Sequence, residues 1–259
     1  MGRRRFEEAY EVFRRVLEHE WFEELLRNRS RVRVLDICGG TGIGGVALAK
    51  ALLEKGCGVE LVINDLRSSA LEKAREYAKR LLGMDIETLR EDAVNLWRHG
   101  MRVDVALLYG LSTPHFDPYR MIQLTVSTAW ILRPHGLFIV EESDRVYGAL
   151  CRVGYKEVIV ERGDENQLVL SLAGGAEDYD PRTGTFRRVF LDVPSMKRVV
   201  MKLRMWDVAG TAAILWTFFE DVDFLPTRSM LRGLLIARGP RGIDPETYSE
   251  IPKIVRCST

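Results

Sequence analysis

At 259 residues, with 46% hydrophobic and 29% charged side chains, the chain is long and apolar enough to bury a sizeable core, which excludes wholesale disorder. Lys and Arg number 38 against 37 Asp and Glu, so the net charge of +1 gives no global attraction to nucleic acid or to an anionic membrane. No apolar run approaches the roughly 20 residues of a membrane span, and mean hydropathy is -0.09.

Length sets a soft domain count of about 1.7, which fits one elaborated domain or one domain with an insertion. The start, Met1-Gly-Arg-Arg-Arg5, passes straight into charged amphipathic sequence with no apolar signal core, so a soluble cytoplasmic protein is expected. Cys38, Cys57, Cys151 and Cys257 show no paired spacing, and the four histidines show no HxxxH. Neither a disulfide framework nor a metal site is expected. The Arg-rich, Asn- and Gln-poor composition points to a thermophilic source or a GC-rich genome.

Residues 5–27 carry Phe6, Tyr10, Phe13, Leu17, Trp21 and Leu25 at three- and four-residue steps, which predicts one helix. Arg31-Val-Arg-Val-Leu-Asp36 then alternates like a strand entering a core. Gly39-Gly-Thr-Gly-Ile-Gly-Gly45 follows, and residues 46–55 return to helix. A second strand ends at Asn64-Asp65, and Ser69 with Glu72 predicts a capping box opening a helix through Leu82. A weak strand over 86–91 ends at Asp92, and a strong buried one runs from Val103 to Tyr109. A helix over 118–132 breaks at Arg133-Pro-His-Gly136 before the strand Leu137-Phe-Ile-Val140. Strands alternating with helices indicate a doubly wound, mostly parallel sheet.

Beyond residue 150 the pattern becomes antiparallel β. Runs at 155–161, 167–173, 186–193 and 197–205 surround the turn signal Asp180-Pro-Arg-Thr-Gly184. A helix after Trp206 leads to Phe219–Phe224 and Met230–Ala237, read as a hairpin joined by Leu225-Pro-Thr-Arg-Ser229. The expected division is a core over 1–149, an antiparallel insertion over 150–205, and the last helix and closing hairpin over 206–259.

The glycine turn brings backbone N–H groups close to a ligand without interfering Cβ atoms. Gly40-x-Gly42-x-x-Gly45 also satisfies the dinucleotide pattern, with an acid twenty residues on. Asp36 argues against that use. A pyrophosphate gains nothing from an acid before the turn, whereas a ligand with an ammonium group does.

Val34-Leu-Asp-Ile-Cys-Gly-Gly-Thr-Gly42 resembles the first motif of class I S-adenosylmethionine-dependent methyltransferases. The resemblance continues in order through Asp65, Asp92-Ala93, Asp104-Val-Ala-Leu-Leu-Tyr109 and Leu132-Arg-Pro-His-Gly-Leu-Phe-Ile-Val140, and the last hairpin matches the family's sixth and seventh strands. It covers roughly residues 5–145 and 206–240. What it implies is a seven-strand Rossmann-like sheet with an N-terminal helix, and an enzyme using S-adenosylmethionine. Asp36, Cys38, Gly39, Gly40, Gly42, Asp65, Leu66, Asp92, Ala93 and Tyr109 become the candidate cofactor residues. In that assignment Asp65 accepts from the two ribose hydroxyls and Asp92 from the adenine amine, with the Ala93 amide donating to the ring. Asp36 orders the turn and attracts the methionine ammonium. Cys38 is expected as a small lining residue and not as a nucleophile.

The catalytic candidates are Tyr109, His115 and Glu142, with Glu141 and Asp144 as further acids at the sheet's carboxyl end, where one of them could meet a cationic amine. The fourth strand lacks the Asn/Asp-Pro-Pro-Tyr/Phe sequence that holds an adenine amine, and no Pro-Cys pair supplies a pyrimidine nucleophile. The expected acceptor is therefore a small molecule methylated on O or N, with nucleic acid disfavoured and no membrane partner. The alternatives are an RNA or protein methyltransferase of the same fold, an NAD(P)-dependent oxidoreductase, and a non-catalytic cofactor-binding subunit.

Overall fold

The computed structural model describes residues 2–27, 29–153, 158–164, 167–173 and 178–256. Two helices open the chain, α1 (Gly2–Val16) and α2 (Glu20–Arg27), where the apolar period predicts one. No glycine or proline marks the break; it is made by distant partners. Lys55 Nζ donates to the Leu17 carbonyl at 3.0 Å, and the His19 ring lies 3.1 Å from Asp223 while its Nδ1 accepts from the Trp21 amide.

The central elements follow in alternation: β1 (Arg31–Asp36), α3 (Ile43–Glu54), β2 (Gly58–Asn64), α4 (Ser68–Leu82), β3 (Glu87–Leu89), β4 (Val103–Leu108), α5 (Pro118–Ile131) and β5 (Leu132–Ser143). The predicted capping box is not used. Helix α4 begins at Ser68 with Arg67 as its N-cap residue and no side-chain cap, and the Arg67 amide goes instead to Asp65 Oδ1 at 2.9 Å. Strand β5 also starts earlier than predicted. Its register slips against β4 between Val103 and Val105, which absorbs the Arg133-Pro-His-Gly136 corner within the strand.

After β5 come one helical turn, α6 (Arg145–Tyr147), and a second sheet of β6 (Val158–Asp164), β7 (Gln167–Ala173), β8 (Tyr179–Asp180), β9 (Thr185–Asp192) and β10 (Lys197–Arg204). Residues 155–157, the start of one predicted β run, lie outside the described residues, as does Cys257. Helix α7 (Val208–Phe218), β11 (Phe219–Ser229), β12 (Arg232–Pro240) and a last turn, α8 (Lys253–Arg256), complete the chain. The segment 225–229, predicted as a loop, belongs to β11. Ser229 pairs with Arg232, and the irregularity falls between Pro226, which has no N–H to give, and Ser229.

The main sheet has seven strands in the order β11-β12-β5-β4-β1-β2-β3, with β12 antiparallel to both neighbours and β1 to β5 parallel. Strict alternation feeds two cores. Val34, Leu107 and Ile139 face α1, α2 and α3, while Leu35, Leu108 and Val140 face α5 and α7. Each fully buried Leu, Ile or Phe stabilises this packing by roughly 1.5–3 kcal/mol. The second sheet, order β10-β9-β7-β6 with β8 on β9, is antiparallel throughout its recorded pairs. No helix among the described residues is long and apolar enough to cross a membrane.

Candidate active site

The glycine turn leaves the carboxyl end of β1. Positive φ angles at Cys38 (53°), Gly40 (58°) and Gly42 (80°) coil it, and the Gly39 amide donates to the Asn64 carbonyl at 2.9 Å, tying it to β2. Close approach explains the other glycines. A Cβ at Gly39 would lie 2.6 Å from Asp36 Oδ2, and one at Gly45 would lie 2.8 Å from Asp36 Cβ. The backbone thus wraps the Asp36 carboxylate.

Asp36 is fully buried, and the Gly45 amide donates to its Oδ2 at 2.8 Å. Its Oδ1 has no hydrogen-bond partner among the described residues. Burial raises its pKa to about 7, against the Gly45 hydrogen bond, and the charge of Asp65 adds to the rise. A buried acceptor without a donor is costly unless something supplies one. An ammonium-bearing ligand in this turn meets that need, directly or through water.

Asp65, just past β2, is also buried but fully engaged. Its Oδ2 accepts from the Gly40 amide (2.9 Å) and Arg67 Nη2 (3.1 Å), and its Oδ1 from the Arg67 amide and Nε (both 2.9 Å). Burial works to raise this carboxyl, but the Arg67 side chain and amide, and then Gly40, hold it below the usual carboxylate range. Leu66 beside it is 61% exposed. Asp92 caps a short 3-10 helix by accepting from the Val94 amide, and Arg120 Nη2 reaches its two oxygens at 2.8 and 2.6 Å. Ala93 is buried at the start of that helix.

Asn64, Arg67 and Arg120 escape the sequence reading. Asn64 Nδ2 donates to the carbonyls of Leu89 and Glu91, fixing the approach of β3 to Asp92. Arg67 is legible in hindsight as a cation two residues after a strand-end acid. Arg120 has no local signal, because folding alone brings α5 to Asp92.

Tyr109 follows β4, its ring 5.1 Å from that of Phe13 on α1, and a Cβ at Gly44 would come within 3.0 Å of it. It lines a cavity of about 110 Å³ with Arg5, Val12, Ile43, Glu141 and Arg232, roofed by α1. Cys38 is half-buried, and burial first, then the charge of Asp65, pushes its thiol up to about 12, so it is no thiolate nucleophile.

His115 ends a short 3-10 turn, Thr113–His115. Partial burial, then the charges of Arg67 and Arg145, hold it below the usual imidazole range. The acids at the end of β5 and just after it carry internal hydrogen bonds. Glu142 is fully buried and accepts from Thr113 Oγ1 (3.1 Å), Thr211 Oγ1 (2.8 Å), the Ser143 amide (2.8 Å) and Arg145. That network ties it to the segment following β4 and to α7. Glu141 accepts from the Gly110 amide and Arg232 and lines the Tyr109 cavity, and Asp144 caps the turn at Tyr147 through Oδ1.

A cavity of about 920 Å³ lies at the opposite end of the sheet, between α2 and the start of β5, away from all these groups.

Residues 34–136 match the methyltransferase-domain family, which spans the glycine turn, all three strand-end acids and His115. Over that stretch the chain carries a methyltransferase domain. The match supports methyl transfer over the oxidoreductase alternative. No curated protein matches the chain. Among solved structures, the chain resembles an S-adenosylmethionine-dependent methyltransferase from Clostridium acetobutylicum (17% identity, 88% of this chain and 91% of that one, TM-score 0.63). It also resembles the CcbJ methyltransferase of Streptomyces caelestis (15%, 90% and 94%, TM-score 0.64). A third is the S-adenosylmethionine-bound amino pentose methyltransferase CalS10 of Micromonospora echinaspora (16%, 91% and 91%, TM-score 0.56). The residues of the domain fit S-adenosylmethionine: Asp36 Oδ1, without a partner among the described residues, lies in a turn whose glycines leave room for close contact.

Proposed function

We propose that this methyltransferase methylates an oxygen or nitrogen of a small molecule, with residues 150–205 as the acceptor-side wall and 1–149 and 206–259 as the cofactor-binding core. The observation that carries the reading is where the second sheet is anchored. Arg204 at the end of β10 lies over Trp206 at 4.8 Å, and Trp206 Nε1 donates to the Phe116 carbonyl at 3.0 Å. Tyr119 Oη reaches the Arg182 carbonyl at 3.5 Å. These ties hold the insertion against the segment that carries His115, at the carboxyl end of β4. The structural neighbours, one of them an amino pentose methyltransferase, cover about nine-tenths of this chain, so the likeness is not confined to the core.

S-adenosylmethionine supplies a methyl group on a sulfonium, and the protein's task is chiefly to hold the acceptor atom in line with it. In this reading Asp36 receives the ammonium, Asp65 the ribose hydroxyls and Asp92 the adenine amine, while Tyr109 borders the reacting region. His115 takes the acceptor's proton. Partial burial first, then the charges of Arg67 and Arg145, disfavour its cation, which favours the neutral imidazole that a base needs.

The test is a labelling screen. Methyl-labelled S-adenosylmethionine, the enzyme and a cell extract are incubated, and label is followed separately in low-molecular-weight, RNA and protein fractions. Label in the small-molecule fraction is expected. Label confined to RNA or protein would remove the small acceptor.

A further inference from the structure

Asp65 has no spare capacity. A carboxylate offers about four lone-pair sites, and here four donors use them: the Gly40 amide, the Arg67 amide, Arg67 Nε and Arg67 Nη2. Two ribose hydroxyls need two of those sites. The backbone donors cannot leave without undoing the glycine turn and the start of α4. The guanidinium can, since the Arg67 side chain is 69% exposed.

We propose that Arg67 is a gate on the cofactor site, its guanidinium and the ribose hydroxyls competing for the same two lone pairs of Asp65. This rests on the ribose assignment of Asp65 given above. A second observation places the guanidinium over the turn: a Cβ on Gly40 would lie 3.2 Å from Arg67 Nη2 and 3.8 Å from Asp65 Oδ2. Arg67 therefore covers the surface of the glycine loop as well as its acid.

Asp92 provides the contrast. Arg120 reaches both Asp92 oxygens through one nitrogen, Nη2, and the Val94 amide bonds Oδ1 at 3.3 Å. One lone pair of Oδ2 is left, enough for a single amine donor with Arg120 still in place. The exchange is confined to the ribose end.

Competition by a part-exposed ion pair is weak and salt-sensitive. Arg67→Ala is expected to bind S-adenosylhomocysteine roughly three- to fivefold more tightly than the wild type at low ionic strength, measured by calorimetry. Wild-type affinity should rise with added NaCl, because salt weakens the competitor, and that slope should vanish in Arg67→Ala. S-adenosylhomocysteine carries no net charge, so it brings little salt dependence of its own. Weaker binding by Arg67→Ala would make Arg67 a cofactor contact and overturn the gate. Unchanged affinity with no difference in salt response would overturn it too. Asp65→Ala separates the two levels. About tenfold or greater loss keeps the ribose assignment, whereas no loss removes that assignment and the gate with it.

Discussion

Two buried aspartates on neighbouring parallel strands sit at opposite ends of the main sheet, and their surroundings differ in kind. Asp104, near the start of β4, is 2% exposed and takes hydrogen bonds from Arg29, from Arg133 Nη1 at 2.9 Å and from the Arg33 amide at 2.8 Å. Asp36, at the end of β1, is 0% exposed, with one amide donor and an unpartnered oxygen. The first acid is neutralised by the protein and braces the amino end. The second is held without a counter-charge by a turn shaped for close approach. The protein supplies every donor that Asp104 takes, whereas the described residues supply none for the buried Oδ1 of Asp36.

The largest expected effect separates the carboxyl end from what covers it. Replacing residues 155–203 by a short Gly/Ser linker is expected to abolish transfer to the natural acceptor while S-adenosylhomocysteine binding persists by calorimetry. A deletion variant that methylates as well as its parent would leave the second sheet without a role in acceptor binding.

Next comes Asp104→Ala, expected to lower unfolding free energy by about 3 kcal/mol in denaturant titration. That is the low end for a broken buried pair, since Arg29 and Arg133 keep some solvent contact. Cofactor affinity of the folded fraction should not change. Asp36→Asn should behave the other way, binding S-adenosylhomocysteine about tenfold more weakly with stability within about 1 kcal/mol of wild type. If the two substitutions have the same profile, the contrast between the sheet's ends is wrong.

The same residue gives a pH signature. The folded pKa of Asp36 is raised to about 7 from an ordinary 3.8, so between those values the folded state binds more protons than the unfolded chain. Its contribution to stability therefore falls as pH rises from about 4 to 7 and levels off above. Melting curves of the wild type should drift downward across that window relative to Asp36→Asn. An ammonium favours the ionised carboxylate, so S-adenosylhomocysteine affinity should rise through pH 7 in the wild type and not in the variant. The smallest effect belongs to Cys38→Ala. With its thiol pushed up to about 12 by burial, turnover should stay within about twofold, and a large loss would give the sulfur a chemical role.

The elements of the core were legible because burial imposes a period. Alternation in 31–36, the buried apolar run of 103–109 and the glycines of 39–45 need no distant partner to be read, and strand-end acids announce themselves by position. What stayed illegible is pairing. Glu142 reads as a free acid beside the substrate, yet Thr113, Thr211 and Arg145 close it off, and Thr211 is 69 residues away in sequence. The single N-terminal helix fails for the same reason, because Lys55 and Asp223 make its break.

Sequence alone determined the doubly wound sheet, the glycine turn and the acids that end its strands. Those follow from local periods and from residues that only certain backbone shapes accept. The tertiary structure decided which acids are spent and which are kept. Asp104 acquires its cations, Asp65 its Arg67 and Asp92 its Arg120, while Asp36 acquires none among the described residues. A carboxylate's role depends on the donors and the solvent within a few ångströms of it, and folding chooses those from distant parts of the chain.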